Sequence, residues 1–84
     1  MFIQIKNNVE DRSRYVNIFK IACFEELPPR LTSSYTPLVQ IELETSNGTK
    51  TITSYETLKE FKERLYGVIK DMPEMMNRFQ LMDF

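Results

Sequence analysis

The residues with chemical potential in this 84-residue chain are few, and most are carboxylates. Glu42 and Glu44 stand two apart with Gln40 beside them, so on a strand all three share one face. Such a pair can hold a divalent cation or imitate phosphates, but a solvated sheet face uses the same spacing. Glu25 and Glu26 are adjacent. Adjacent side chains on a strand point apart, which argues against an acid/base pair. Cys23 lies within an apolar run. With no imidazole to activate it, it reads as a core cysteine rather than a nucleophile.

Histidine is absent altogether. That removes the commonest general base, nucleophile activator and metal ligand. A single cysteine then excludes zinc sites built from Cys and His. The two glycines, Gly48 and Gly67, belong to no phosphate-cradling loop. The expectation is a protein that is not an enzyme and carries no cofactor and no metal.

Binding surfaces are better represented. Arg12, Arg14 and Lys20 accompany Tyr15 and Tyr35, the residue types of an aromatic and basic surface for RNA or DNA. The balance of eleven basic against twelve acidic residues gives no global electrostatic support for that reading. On the segment after Ser54, Lys59, Lys62, Arg64 and Lys70 interleave with Glu56, Glu60 and Glu63, as on a solvated helix face.

The second candidate is the tail, 73–84, in which six of twelve residues are Met, Leu or Phe. Methionine has soft torsions and a polarizable sulfur, so such segments make adaptable contacts. Phe19, Tyr35, Met75, Met76, Phe79 and Phe84 are therefore the expected anchors for a protein partner, which includes a second copy of the chain. The alternative is that the tail methionines and Phe79 complete a thin core.

These residues need a scaffold, and the pattern supplies one. Phe2 to Lys6 alternates, with Ile3 and Ile5 on one face. Tyr15 to Phe24 is apolar on both faces and reads as one central strand. Residues 25–37 hold Pro28, Pro29 and Pro37 and read as a long binding loop. Leu38 to Thr45 alternates cleanly, and Asn47-Gly48 is the preferred pair for a two-residue type I′ hairpin. That turn places Leu43 opposite Ile52 and Glu44 opposite Thr51.

A capping box of Thr53 with Glu56, or a cap at Ser54, opens a helix. The helix carries Leu58, Phe61, Leu65, Val68, Ile69 and Met72 at helical spacing and ends before Pro73. Glu60 and Arg64 form an i,i+4 pair on its wet side, and Gly67 allows close approach to the sheet. A turn over 73–77 then leads into a short strand, against the competing helical spacing of Met72, Met75, Met76 and Phe79.

The expected fold is a single α+β domain over 1–84: an antiparallel four-stranded sheet, with the tail as a candidate fifth strand, and one amphipathic helix on one face. At 42% apolar the chain is too hydrophobic for disorder, yet it has no run long enough to span a bilayer and no signal-peptide pattern. One cysteine suits a reducing compartment, so the expected location is the cytoplasm. The function expected is a small protein-binding inhibitor or antitoxin-like regulator, in the style of phage accessory proteins, that occludes its partner and is able to act as a homodimer. The alternative is the nucleic-acid regulator built on the basic and aromatic residues named above.

Overall fold

The computed structural model describes residues 1–6, 14–27 and 37–81. In chain order the elements are β1 (Phe2–Ile5), β2 (Arg14–Asn17), a 3-10 turn (Ile18–Lys20), β3 (Ile21–Leu27), β4 (Leu38–Thr45), β5 (Gly48–Ser54), α1 (Leu58–Ile69) and α2 (Pro73–Arg78). The class is α+β, but the expected four-stranded sheet is two sheets. β1 and β2 form an antiparallel ribbon, and β3, β4 and β5 form a separate antiparallel sheet in that order. Of the expected 25–37 loop, residues 25–27 belong instead to β3, where they pair with β4, and 28–36 lie outside the described residues.

The expected central strand is broken by its own side chains. Asn17 Oδ1 accepts a hydrogen bond from the Phe19 amide at 3.0 Å, which caps the 3-10 turn and ends β2. A second interruption follows within β3. Ile21 pairs with Leu43 but Cys23 pairs with Glu42, so one residue is inserted as a bulge.

These two shifts explain the apolar pattern on both faces. Val16 and Ile18 are buried in even phase. The turn brings Ile21 to the same side, since positions three apart eclipse in 3-10 geometry. The bulge then returns the phase to Phe24, opposite Ile41. One buried face with two frame shifts had looked like two apolar faces. The residues it leaves outside include Phe19, Ala22 and Cys23, so the cysteine is exposed rather than buried.

The hairpin forms with a different register. Ile41 faces Ile52 and Leu43 faces Lys50, with Ser46 and Asn47 as the loop. A type I′ turn at Asn47-Gly48 needs positive φ at both residues. Here Gly48 has φ +123° and Asn47 does not share it. The Thr45 hydroxyl closes the turn instead, accepting from the Asn47 amide at 3.3 Å and donating to the Gly48 carbonyl at 3.0 Å. The slip is by an even number of residues, so Ile52 still faces the core.

Thr57, not Thr53 or Ser54, caps α1, in a capping box with Glu60. The donated bonds hold the Glu60 carboxyl below the ordinary carboxylate range, with Lys6 at 3.6 Å adding to the effect. Ser54 is unavailable as a cap because it ends β5, paired with Val39. Glu56 is buried and turns inward. Arg64 donates to it from Nε to Oε1 at 2.9 Å and from Nη2 to Oε2 at 2.6 Å, and the Ser54 hydroxyl donates to Oε2. Arg64 is therefore paired with Glu56 rather than Glu60. The Lys6 amide donates to Ser54 Oγ at 3.1 Å and the Tyr55 amide to the Lys6 carbonyl at 2.9 Å, which ties the ribbon to the end of β5.

Phe61, Leu65 and Ile69 form the buried stripe of α1 and join one core cluster with Ile3, Ile5, Ile18 and Ile41. Gly67 is exposed, and a Cβ there would meet nothing within 4 Å, so it provides no close approach. The tail is helical rather than extended, and no strand occurs among its described residues. Pro73 sits in the first turn of α2, where its missing N–H costs nothing. A Schellman motif closes α2: Leu81 donates to the Met76 carbonyl at 2.8 Å and Gln80 to the Asn77 carbonyl at 3.1 Å. Gln80 takes φ +57° to allow this, and Leu81 is fully buried beyond it.

Two outcomes follow for stability. Glu56→Ala strands a guanidinium and a hydroxyl, and should lower the unfolding free energy by about 3 kcal/mol in urea titration; a loss under about 1 kcal/mol would contradict the role given to it. Gln80→Gly removes the left-handed strain, and should raise the urea midpoint by an amount worth about 0.5–1 kcal/mol with an unchanged slope.

Candidate functional site

The ribbon has two unlike faces. Ile3, Ile5 and Val16 point into the core. The register sets Phe2 opposite Asn17 and Gln4 opposite Tyr15, so these four side chains share the outer face, with Phe2 and Tyr15 diagonal neighbours. Phe2 and Tyr15 are each 60% exposed and Met1 is 53% exposed. Phe19, 45% exposed, stands in the turn that follows β2. The Ile18 amide donates to the Met1 carbonyl at 3.0 Å, so Met1, Phe2 and Phe19 gather at one end of the ribbon. Four of the five exposed large hydrophobic residues described are thus in this one region.

Of the expected anchors, Phe19 is on this surface. Met75, Met76 and Phe79 are buried in the core cluster, where they cover α1 and the sheet. Tyr35 and Phe84 lie outside the described residues, as does Arg12. Arg14 and Tyr15 are exposed but adjacent on a strand, so they point to opposite sides of the ribbon. Lys20 is exposed beside Phe19. Lys6 continues the phase of Phe2 and Gln4 but meets Glu60. The structure therefore leaves Tyr15 on the outer ribbon face, with Phe19 and Lys20 exposed in the turn that follows β2, and sets Arg14 on the opposite side.

Met1 and Phe2 were not among the expected anchors. The signal for Phe2 lay in the alternation itself: if Ile3 and Ile5 face inward, Phe2 must stand with Gln4 on the wet side.

The outer face of the three-stranded sheet is polar and acidic. Gln40, Glu42 and Glu44 of β4 lie beside Thr49, Thr51 and Thr53 of β5, and Glu25 and Cys23 of β3 complete the face. No group of three or more carboxylate or cysteine residues that could hold a metal ion exists among the described residues. Cys23 Sγ donates to Glu42 Oε2 at 3.0 Å. That hydrogen bond holds the proton on sulfur and pushes the thiol above its ordinary value, with smaller contributions from desolvation and from the charges of Glu42 and Glu25.

Among the described residues, no helix is long and apolar enough to cross a membrane. Compared with protein-family models, curated proteins and solved structures, the chain matches none.

The thiol geometry gives a measurable consequence. Folding favours the protonated form, so the Glu42 bond contributes stability below the thiol's unfolded pKa and loses it as pH rises through the folded value. Cys23 should therefore react with iodoacetamide at pH 8 several-fold more slowly than a cysteine in an unstructured peptide, despite its exposure. Glu42→Gln should restore much of the rate, and equal rates in both proteins would remove Glu42 from the explanation.

Proposed function

We propose that this chain is a non-enzymatic protein-binding module that acts by occluding its partner, as an inhibitor or antitoxin-like regulator does, through the outer face of the β1–β2 ribbon. The observation that carries this reading is the gathering of Met1, Phe2, Tyr15 and Phe19, all at least 45% exposed, in one region of a small domain. Apolar side chains that a chain leaves together on its surface mark interaction sites, and aromatic ones carry most interface energy. The partner is another protein or a second copy of the chain. An exposed, unpaired Cys23 suits a reducing location such as the cytoplasm.

The nucleic-acid alternative has weaker support. A phosphate-tracking surface needs several cations alongside its stacking aromatics. Here Arg14 faces away from Tyr15 and Lys6 is beside Glu60, which leaves Lys20 as the described cation next to the aromatic group.

The deciding variant is Phe2→Ser, Tyr15→Ser and Phe19→Ser combined, with circular dichroism and melting temperature matching the parent. The parent should form a stoichiometric complex, with itself in sedimentation velocity at two concentrations or with one protein captured from source cells. The triple variant should weaken it by about 100-fold or more. An undiminished complex rejects the ribbon face. A bound nucleic acid released by salt favours the alternative.

A further inference from the structure

A second surface lies along the open edge of the three-stranded sheet. β3 pairs with β4 on one side, and among the described residues no strand pairs with its other side. Beside that edge runs a groove of about 300 Å³ between β3 and the two helices. Phe24, Leu58 and Phe79 line it with apolar surface, and Phe24 packs on Phe79 at 5.7 Å between ring centroids.

Among the described lining residues two are cations, Lys62 and Arg78, and none is a carboxylate. This positive groove belongs to a chain of net charge −1. Arg78 is held in place. Its Nη2 donates to the Ile21 carbonyl at 3.0 Å and its guanidinium lies 5.6 Å from the centre of the Phe79 ring. That leaves the rest of its donor fork for another acceptor. Neither cation forms an ion pair with a described carboxylate. Further along the same strand the sign reverses at Glu25 and Glu26.

We infer that the β3 edge and its groove form a strand-addition site for an acidic extended peptide segment of a partner protein. The peptide backbone would pair with the open edge over residues 22–26, as in other β-augmentation sites. An apolar side chain would sit on Phe24 and Phe79. A carboxylate two residues away, on the same peptide face, would reach Arg78 and Lys62. The change of sign at Glu25 and Glu26 fixes the register, since the acid must lie toward Ala22, and the order of the two peptide residues then sets the strand direction. This site is separate from the ribbon face and does not depend on that reading.

The test uses the full chain, labelled with nitrogen-15, and a blocked seven-residue peptide. Leucine and glutamate stand two apart in a background of threonine and valine, and a second peptide has glutamine for glutamate. Amide shifts should map to β3, and affinity should fall at least tenfold for the glutamine peptide and for Lys62→Glu. The Lys62 side chain makes no hydrogen bond or ion pair among the described residues, so that variant should keep the fold; Arg78→Gln is the companion, and binding should fall there too. The ribbon triple variant should bind the peptide normally, which separates the two surfaces. Equal affinity for both peptides, shifts confined to the ribbon, or no shift with millimolar peptide would overturn the inference.

Discussion

The buried carboxylate of Glu56 is the constraint on which the arrangement depends. A two-stranded ribbon of four-residue strands has little stability of its own. It holds its place here because Lys6, just after β1, bonds to Ser54 at the end of β5 and to Tyr55 just past it. Ser54 is positioned by its bond to Glu56, and Glu56 by the two donors of Arg64 on α1. One charge thus joins the ribbon, the sheet and the helix. Burying it is tolerable because its oxygens are satisfied; a carboxylate with fewer donors at that depth would cost several kcal/mol. No buried side-chain polar atom among the described residues lacks a partner.

This arrangement also decides what each surface can be. Docking the ribbon by Ile3, Ile5 and Val16 turns Phe2 and Tyr15 outward without choice, because side chains alternate. The three-stranded sheet spends its apolar residues on the helix side, so its other face is left to Glu42, Glu44 and threonines. That face needs no cover. The tail, which a two-sided sheet would have called upon as a second layer, instead packs Met75, Met76, Phe79 and Leu81 into the same core. Each apolar residue committed there is one fewer for a sticky tail, and most of the exposed large hydrophobic residues described are at the ribbon.

What was legible in the residues was phase, and what was not was continuity. The alternation of Leu38 to Thr45 and the helical stripe Phe61, Leu65, Ile69 placed the correct side chains inside. Pairing register was less secure, because the core constrains only which face Ile52 takes; either of two registers an even step apart satisfies it, and the turn backbone chose between them. The Tyr15 to Phe24 segment failed for a different reason. A 3-10 turn and a bulge each shift the alternation, and together they make one buried face resemble two. The Gln80 conformation was not legible at all, since glutamine carries no preference for positive φ. In the candidate site Phe19 was among the expected anchors, while the exposure of Phe2 was implied by the alternation of its strand but not drawn from it.

Folding alone does not account for the ribbon's outer residues. Aromatic residues suit strands, and a diagonal pair such as Phe2 and Tyr15 can add about 0.2–1 kcal/mol to a ribbon. That explanation does not extend to Phe19, which lies outside any strand, or to Met1, which precedes β1. Both contribute backbone rather than side chain to the fold: the Phe19 amide bonds to Asn17 and the Met1 carbonyl accepts from Ile18. A polar residue would serve those bonds equally well. Their side chains are each about half exposed, and what they share with Phe2 and Tyr15 is the water they face. A chain with an apolar core as thin as this one has every reason to bury such groups. Four of the five exposed large hydrophobic residues described lie in the region of this ribbon, and that concentration is the observation on which the proposed partner surface rests.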